Sequence, residues 1–338
     1  MTGSQLRVKD IGEFELIDRL TNTLPEVARA SPGVEIGIGD DAAVWTPSAG
    51  MSIVVTTDAL IEDVHFRLDW TDWTSLGHKT MAVNLSDIAA MGARPRVATI
   101  VLGLTGDELV TDVEALYVGA GGLAAAHGVV IAGGDVVRVP HDLTLSVTVL
   151  GEVAPGRVLT RGGAQPGDLI VVSGTLGASA AGLALLERGP DRSASGSLLV
   201  GANLRPNPRI ALGHILFDLG VTATMDLSDG LLGDLPKILE ASGVSAVLDV
   251  SALPILPALR ALFSADHEQL ALGGGEDYEL LMTVPPDRFE GLRERASQIA
   301  ATLTPIGRIT PVDGGNRLKL VKDGKPYSSE TGAFDHFG

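Results

Sequence analysis

Gly37-Ile38-Gly39-Asp40-Asp41-Ala42-Ala43 places two adjacent carboxylates after two glycines, at the end of a run that is typical of a buried strand. Aspartate has a low strand propensity and is almost never buried without a partner. The same pattern, an aspartate at the edge of an apolar segment, recurs at residues 54–58, 84–87, 133–135 and 226–229. If these acids meet in space, positive charge must lie among them. The pattern favours magnesium ions that carry a nucleoside triphosphate.

Electrostatics explains why cations are needed. Two carboxylates about 4 Å apart repel by about 4 kcal/mol at an effective dielectric constant near 20. A domain is stable by only roughly 5–15 kcal/mol, so half a dozen converging acids would be untenable alone. Magnesium prefers oxygen ligands and usually takes one or two carboxylates plus substrate phosphates. A single aspartate at a strand end is more often a turn or cap residue, so the number of such aspartates is what favours a metal cluster.

Two of these segments offer ligands at a suggestive spacing. Asp58 follows Thr56 and Thr57, which add hydroxyl and carbonyl oxygens at a predicted strand end. Asp226 and Asp229 are three residues apart, so in the first turn of a helix they would share one face. Both segments are therefore candidates for magnesium binding.

Composition limits the classes of function. The chain has 338 residues, of which 45% are hydrophobic, which suffices for two domains with a substantial core. Its formal net charge of −17 argues against non-specific binding to nucleic acid or to an anionic membrane, but not against phosphates bridged by metal ions. The sequence has no cysteine, which excludes thiolate chemistry and is compatible with the cytoplasm. No apolar segment near the N-terminus indicates a signal peptide.

Alternating strand and helix patterns predict an α/β (mixed α+β) protein. A turn at residues 154–156 marks the best boundary, so we expect an N-terminal domain over residues 1–153 and a C-terminal α/β domain over residues 154–338. The charge-free stretches 115–134 and 169–186 are each interpreted as a helix joined to a strand rather than as membrane spans.

Local patterns give further expectations. Apolar spacing predicts an amphipathic helix over residues 12–30, with Phe14 and Leu20 on its apolar face. Predicted strands end at Asp58 and around Asp135, and residues 190–197 are expected to form a polar loop.

Familiar nucleotide and hydrolase motifs are missing. The sequence has no Gly-x-x-x-x-Gly-Lys-Ser/Thr, no Gly-x-Ser-x-Gly and no His-Glu-x-x-His. Residues 37–42 loosely resemble a dinucleotide fingerprint, but two acids in the turn would repel a pyrophosphate unless metal intervened. The glycines of residues 119–124 lie inside a predicted helix, where close packing is the better interpretation. Zinc is disfavoured because the seven histidines come without cysteine.

Three other positions leave structural and binding roles open. His65 lies in an irregular segment beside Phe66, where a lone histidine is more often structural or exposed. Arg161 is either a surface residue or a clamp for a phosphate. The acidic segment 276–279 follows three glycines, and glycines that dense more often allow a ligand to approach the backbone closely.

Ten segments, in order along nearly the whole chain, resemble the thiamine-monophosphate kinases of the aminoimidazole ribonucleotide synthetase-like superfamily. Single tetrapeptides would be weak evidence, but ten in sequence are strong. The segments are residues 37–43, 56–58, 65–66, 82–93, 133–135, 159–164, 205–209, 226–231, 274–280 and 334–337.

The resemblance implies a two-domain fold in which the N-terminal domain pairs with a second copy to form a β-barrel, and in which ATP lies in a cleft between the domains. It implies a cytoplasmic homodimer that phosphorylates thiamine monophosphate to thiamine diphosphate, the last step of thiamine diphosphate biosynthesis. The transfer would be direct and in line, with ATP as co-substrate and several Mg2+ ions. Because the acceptor is already an anionic phosphate, no general base is expected.

The resemblance also assigns roles by motif position. The implied metal ligands are Asp41, Thr56, Thr57, Asp58, Asp87, Asp135, Asp226 and Asp229. The implied ATP contacts are Gly134, Asp135, Arg161 and Ser228. The implied contacts to thiamine monophosphate are His65, Glu276 and Phe334. Asp41 is expected to be the direct ligand of its pair, while Asp40 orients the loop.

Two alternatives remain open. One is another ATP-dependent member of the superfamily. Selenophosphate synthetase-like and hydrogenase-maturation chemistry would require a cysteine or selenocysteine that this chain does not have, and the motifs fit aminoimidazole ribonucleotide synthetase less well. The other is a non-catalytic sensor of nucleotide and metal, against which the full set of metal-type aspartates speaks.

Overall fold

The computed structural model describes residues 6–329 except 190, 192, 313 and 316, so Phe334 lies outside the described residues. The chain folds into two compact units. The first comprises the residues up to 88 together with 94–155, and the second comprises 89–93 together with the residues from 156 onward.

The first unit contains a four-stranded sheet in the order β3-β6-β4-β5 and a separate β1-β2 pair. Its elements are α1 (Glu13–Thr23), β1 (Val34–Ile36), β2 (Val44–Trp45), β3 (Ser52–Ile61), α2 (Trp73–Ala90), β4 (Arg94–Leu104), α3 (Val110–Ala126), β5 (Val130–Arg138) and β6 (Thr144–Val153). Strands β4 and β5 are parallel, and β6 pairs antiparallel with both β3 and β4.

The two faces of this sheet differ in burial. Along β3, side chains alternate between a partly buried face, on which Asp58 contacts helix α2 through Asn84, and an outer face. The outer face carries apolar side chains that the described residues leave exposed: Ile53 by 47%, Val55 by 60% and Val101 by 39%. We call this outer face the open face.

Helices α2 and α3 touch backbone to backbone. A Cβ atom at Gly77 would lie 1.8 Å from the carbonyl oxygen of Leu116, and one at Gly119 would lie 1.9 Å from that of Thr74. Only glycine fits at either position. The predicted packing role for the glycines of residues 119–124 is confirmed at Gly119.

The second unit contains a seven-stranded sheet in the order β13-β12-β9-β11-β7-β10-β8. Its elements are β7 (Leu169–Ser173), α4 (Ala178–Arg188), α5 (Ala194–Leu204), α6 (Ile210–Leu216), β8 (Ala223–Asp226), α7 (Leu231–Ser242), β9 (Ser245–Asp249), α8 (Pro257–Leu262), α9 (His267–Gly273), β10 (Leu280–Val284), α10 (Pro286–Ser297), β11 (Leu303–Thr310), β12 (Leu318–Lys322) and β13 (Lys325–Tyr327). Leu235, Leu248 and Leu281 lie in its core, each with 0% exposure. This core supports the loops that flank β8 and β10.

The long apolar stretches are helix–strand pairs. Residues 115–134 fall in α3 and β5, and residues 169–186 fall in β7 and α4, which confirms their interpretation. Within the described part of the chain, no helix combines the length and the apolar character that crossing a bilayer requires.

The predicted N-terminal helix was too long, and its apolar face was partly wrong. Helix α1 ends at Thr23, because Pro25 disfavours a helical conformation at Leu24 before it. Leu16 and Leu20 are buried on its inner face, whereas Phe14 is 80% exposed. The stripe that packs inward therefore runs through Leu16 rather than Phe14.

Three other local expectations need correction. Strand β3 continues past Asp58 because all ten of its residues pair with β6, and β5 continues past Asp135 because it pairs with β4 as far as Arg138. Both aspartates therefore lie inside strands. The expected polar loop at 190–197 holds the start of α5, whose first turn is capped by Ser193: its Oγ accepts a hydrogen bond from the Gly196 N–H at 3.0 Å.

We expect Gly119→Ala to lower the melting temperature by several degrees, because the added methyl group must separate α2 from α3. Gly122→Ala is the matched control on the same helix, since no atom lies within 4 Å of a Cβ at that position. The control should be neutral or stabilising by up to about 1 kcal/mol, because alanine is the better helix former. Thermal denaturation followed by circular dichroism measures both, and equal melting temperatures would contradict the packing argument.

Candidate functional site

In the first unit, Asp58 and Asp87 approach each other where β3 meets α2. The hydroxyl of Thr56 donates a hydrogen bond to Asp87 Oδ2 at 2.5 Å, and the N–H of Asp58 donates to Asn84 Oδ1 at 3.0 Å. Asn84 and Asp87 lie on the same face of α2 because they are three residues apart. The sequence pattern predicted a role for Asp58 and Asp87 but none for Asn84. The fully buried Asn84 amide holds Asp58 in place.

The electrostatics of this pair fits a cation. Burial and, after it, repulsion from Asp87 raise the pKa of Asp58 to about 6. Two carboxylates and a hydroxyl are oxygen ligands of the kind that magnesium prefers. The donor set formed by Thr56, Asp58 and Asp87 therefore suits Mg2+, whose charge would remove the repulsion.

The two acids of the first motif differ in role. Asp40 Oδ1 accepts a hydrogen bond from the backbone N–H of Asp41 at 2.8 Å. The Asp40 side chain thus holds the turn that presents Asp41, whose side chain is exposed. This arrangement agrees with the expectation that Asp40 orients the loop.

Asp135 lies far from Asp58 within the first unit. It is on β5 and pairs with the exposed Val101, whereas Asp58 is on β3 and pairs with the buried Val147. The two aspartates therefore sit on opposite faces, and β3 and β5 are opposite edges of the sheet, three strand spacings or roughly 14 Å apart. Asp135 and Asp58 do not share one metal ion within a single chain.

Thr57 and Gly134 also have structural roles. The hydroxyl of Thr57 lies on the open face, where it donates to the Val147 carbonyl and accepts from Thr148 Oγ1, both at 3.1 Å. A Cβ at Gly134 would lie 1.8 Å from the carbonyl oxygen of Ile100, so the β4–β5 contact requires glycine.

His65 is held by the backbone of its own loop. Its Nδ1 accepts a hydrogen bond from the N–H of Ile61 at 3.1 Å. The neutral ring therefore carries its proton on Nε2. Another implied substrate contact, Phe334, is outside the described residues.

In the second unit, two loops that the sequence singled out lie side by side. We call residues 226–230 the acidic loop and residues 273–279 the glycine-rich loop. The N–H of Leu227 donates to the Glu279 carbonyl at 2.9 Å, and the N–H groups of Glu276 and Tyr278 donate to the carbonyls of Ser228 and Leu227 at 2.8 and 2.9 Å. The predicted residues Asp226, Ser228 and Glu276 are thereby brought into one site.

Glycine makes this contact between the loops possible. A Cβ at Gly275 would lie 2.5 Å from the Ser228 carbonyl oxygen. A Cβ at Gly230 would lie 2.8 Å from the backbone of Gly273, and Gly230 also has a φ of +88°, which favours glycine. The dense glycines thus allow close approach of a neighbouring backbone, which is a structural use that the sequence left open.

The acidic loop ends before the first turn of a helix, so Asp226 and Asp229 do not share a helical face. Helix α7 begins only at Leu231, after the kink at Gly230. The loop is instead held by Asp234 inside that helix, whose Oδ2 accepts hydrogen bonds from the N–H groups of Ser228 and Asp229, both at 3.0 Å.

Lys237 completes this arrangement. Its Nζ donates to Asp229 Oδ2 at 2.6 Å and to Asp234 Oδ1 at 2.8 Å. Partial burial lowers the pKa of Lys237, but the two carboxylates outweigh burial and hold it above its usual value. The signal that could have revealed both residues is an acid in the first turn of α7 followed three positions later by a lysine.

Two acids that are two residues apart, Asp277 and Glu279, anchor the glycine-rich loop. Glu276 and Tyr278 adopt positive φ values of 65° and 50°, which non-glycine residues rarely do. Between them, the half-buried Asp277 accepts hydrogen bonds from the N–H groups of Gly177 at 2.7 Å and Ser179 at 3.3 Å, at the start of α4. This anchor stabilises the strained backbone that presents Glu276.

Glu279 and Arg209 form the second anchor. Arg209 donates to both carboxylate oxygens of Glu279, with Nε at 2.7 Å from Oε2. Ser173 also donates to Glu279, which is only 4% exposed. Arg209 belongs to the motif at residues 205–209, so this part of the resemblance has a structural role in supporting the loop.

Arg161 is exposed, and its backbone makes the contact that holds its segment. Its carbonyl oxygen accepts a hydrogen bond from Ser242 Oγ at 3.1 Å, at the end of α7. The segment around Arg161 is therefore fixed to the same helix that carries Asp234 and Lys237.

Across the described residues, no group of three or more His, Asp or Glu side chains is arranged so that it could hold a metal ion. The implied ligands instead form smaller sets, one around Asp58 and Asp87 and one in the acidic loop. Sets of this size match magnesium, which keeps several water and phosphate ligands besides one or two carboxylates.

Asp277 should make stability depend on pH. Burial raises its pKa to about 7 in the folded protein, whereas an unfolded aspartate titrates near 3.9. Between these values the folded state keeps a proton that the unfolded state has lost, so Asp277 lowers stability as pH rises from about 4 to about 7. We expect the melting temperature of the wild type, relative to Asp277→Asn, to fall by roughly 5 °C from about pH 5 to about pH 8.

The control for this prediction is Asp249→Asn, which alters another aspartate that accepts a backbone hydrogen bond, from Ser251 at 2.9 Å. The melting temperature of the wild type relative to this control should not show the same decline. A constant difference between wild type and Asp277→Asn across the pH range would refute the titration of Asp277.

Comparisons with known proteins agree with this architecture. The model of the AIR synthase related protein N-terminal domain matches residues 39–153, and that of the corresponding C-terminal domain matches residues 165–318. These matches confirm the predicted two-domain, mixed α/β fold of the superfamily.

Individual relatives narrow the family. The chain is 40% identical to the thiamine-monophosphate kinase of Salmonella typhimurium over 330 residues, 96% of this chain and 98% of the relative. The crystal structure of thiamine-monophosphate kinase from Stenotrophomonas maltophilia K279a has a TM-score of 0.83 and 41% identity, over 94% of this chain and 98% of that one. The structure of AaThiL complexed with AMPPCP and TMP has a TM-score of 0.75 and 31% identity, over 98% and 99%. The chain therefore belongs to the thiamine-monophosphate kinase family.

Proposed function

We propose that this protein transfers the γ-phosphoryl group of ATP to thiamine monophosphate and so produces thiamine diphosphate and ADP. The observation that carries the proposal is the match of nearly the whole chain to the structure of AaThiL complexed with AMPPCP and TMP. AMPPCP is an analogue of ATP, and TMP is the phosphate acceptor. We further propose that the reaction takes place in the cytoplasm.

Magnesium is proposed as the metal. In the first unit, Thr56, Asp58 and Asp87 would hold one ion, because Thr56 Oγ1 donates to Asp87 Oδ2 and burial together with repulsion from Asp87 raises the pKa of Asp58 to about 6. When bound, magnesium supplies positive charge that neutralises the phosphates during transfer. Within a single chain, a metal role for Asp135, and one for the Thr57 hydroxyl on the open face, would require a different ion from the one at Asp58.

The remaining roles are proposed for residues of the acidic loop, of the glycine-rich loop and of other motifs. Asp226 and Asp229 are proposed metal ligands, with Asp41 a further one, and Ser228 is a proposed ATP contact. Glu276 is proposed to bind thiamine monophosphate, as is His65. The same family resemblance proposes Gly134, Asp135 and Arg161 as ATP contacts. The chain need not supply a base, because the acceptor oxygen belongs to an anionic phosphate.

The proposal is tested by incubating the purified full-length protein with ATP, magnesium and thiamine monophosphate, and by measuring thiamine diphosphate by chromatography. We expect product to accumulate with one ADP formed per thiamine diphosphate. ATP binding without product would overturn the kinase assignment and favour a nucleotide sensor. Thiamine in place of thiamine monophosphate is the control for acceptor identity, and it should yield no product.

Removing a proposed metal ligand should abolish turnover without unfolding the protein. We expect Asp58→Asn and Asp229→Asn each to lower kcat by at least about 100-fold, because an amide cannot supply the lost charge. Asp69→Asn and Asp287→Asn are the matched controls, since their side chains are 59% and 79% exposed and pair with nearby arginines. Near-normal kcat in both ligand variants would refute the proposed metal roles.

Dimerisation through the first unit is the further part of the proposal. The open face carries exposed Ile53, Val55, Ile61, Val101 and Val137, at 36–60% exposure. Apolar patches of this kind mark interaction surfaces. A second copy that covers the open face would bury them, as the β-barrel of the superfamily implies.

We expect Val55→Glu to convert a homodimer to monomers, because a charge buried among apolar side chains in the interface would not be solvated. Val118→Glu is the matched control, since Val118 is 49% exposed but lies on helix α3. Size-exclusion chromatography with light scattering measures the masses. A monomeric wild type, or a dimer that tolerates Val55→Glu, would contradict the proposed interface.

A further inference from the structure

Lys237 contacts a proposed metal ligand and is held in that contact by a buried acid. Its ammonium lies 2.6 Å from Asp229 Oδ2 and 2.8 Å from Asp234 Oδ1. Asp234 has 0% exposure, and its other oxygen accepts the N–H groups of Ser228 and Asp229. Lys237 is therefore paired with a carboxylate that cannot move without losing its hydrogen bonds to the acidic loop.

This arrangement places a positive charge beside Asp229 Oδ2, an oxygen that would bind magnesium. Lys237 neutralises the repulsion between Asp229 and Asp234, so it keeps the acidic loop in shape when no metal is bound. The same charge repels a divalent cation that approaches Asp229. Stabilising the loop favours metal binding, whereas repelling the cation opposes it. The two effects can be distinguished by measuring metal affinity.

We propose that Lys237 is a positioning residue that weakens the binding of free divalent metal at Asp229. Metal would then bind firmly only when nucleotide phosphates add their negative charge. This inference rests on the proposed function for the identity of the ligand Asp229. It adds a residue that none of the implied metal, ATP or substrate contacts includes.

The test is the affinity of the full-length protein for Mn2+ in the absence of nucleotide, measured from the electron paramagnetic resonance signal of free Mn2+. We expect Lys237→Met to bind Mn2+ roughly tenfold more tightly than the wild type, because one unit charge near a divalent ion has been removed. Lys237→Gln, which is neutral but still donates hydrogen bonds, should show the same gain. Lys237→Arg keeps the charge and should bind Mn2+ as the wild type does.

Lys322→Met is the matched control in the second unit. Lys322 is 39% exposed, close to the 37% of Lys237, and it pairs with Glu268 at 2.7 Å. Its removal should leave Mn2+ affinity unchanged. An equal gain in this control would show a general charge effect and would overturn the proposal.

If one of the two neutral variants folds poorly, the other still decides the outcome. Mn2+ affinity that is unchanged or weaker in the folded neutral variants would overturn the proposal, as would a raised KM for ATP as their only effect. Because the readout needs no turnover, its result is separate from the kinase assay. A wild type that forms thiamine diphosphate, with no gain in Mn2+ affinity in the variants, refutes the role of Lys237 alone.

Discussion

The carboxylate of Asp234 is buried, and the candidate site of the second unit depends on how it is satisfied. A buried carboxylate is costly unless it is paired and hydrogen-bonded. Asp234 meets this requirement with two backbone N–H groups of the acidic loop and with Lys237. The positions of Ser228 and Asp229 are therefore set by the hydrogen bonds that the Asp234 carboxylate needs, although Asp234 is itself buried.

The same principle organises the glycine-rich loop. Asp277 accepts hydrogen bonds from the N–H groups that start α4, and the buried Glu279 accepts hydrogen bonds from Arg209. Glu276 precedes both anchors in the chain and donates its N–H to the acidic loop. Its backbone conformation is strained. Buried acids thus hold the residues that are proposed to bind ligands, and the glycines let the two loops touch.

The first unit divides its chemistry between the faces of one sheet. One face meets α2 and brings together Thr56, Asp58 and Asp87, while the open face carries exposed apolar side chains. The period of two along a strand makes this division unavoidable, since neighbours such as Thr56 and Thr57 point to opposite faces. A proposed metal site and a proposed dimer interface can therefore be encoded in a single strand.

The sequence by itself determined the alternating class of the fold, the family, and the acids and glycines of interest, because these depend on local pattern and on residue type. Only the tertiary structure decided that Asp58 lies close to Asp87 while Asp135 lies at the far edge of the sheet, and that Phe14 is exposed. Asn84 acquires its role from Asp58, a partner on another element. Such contacts follow from strand order and helix placement, which long-range packing sets and which the spacing of residues along the chain does not encode.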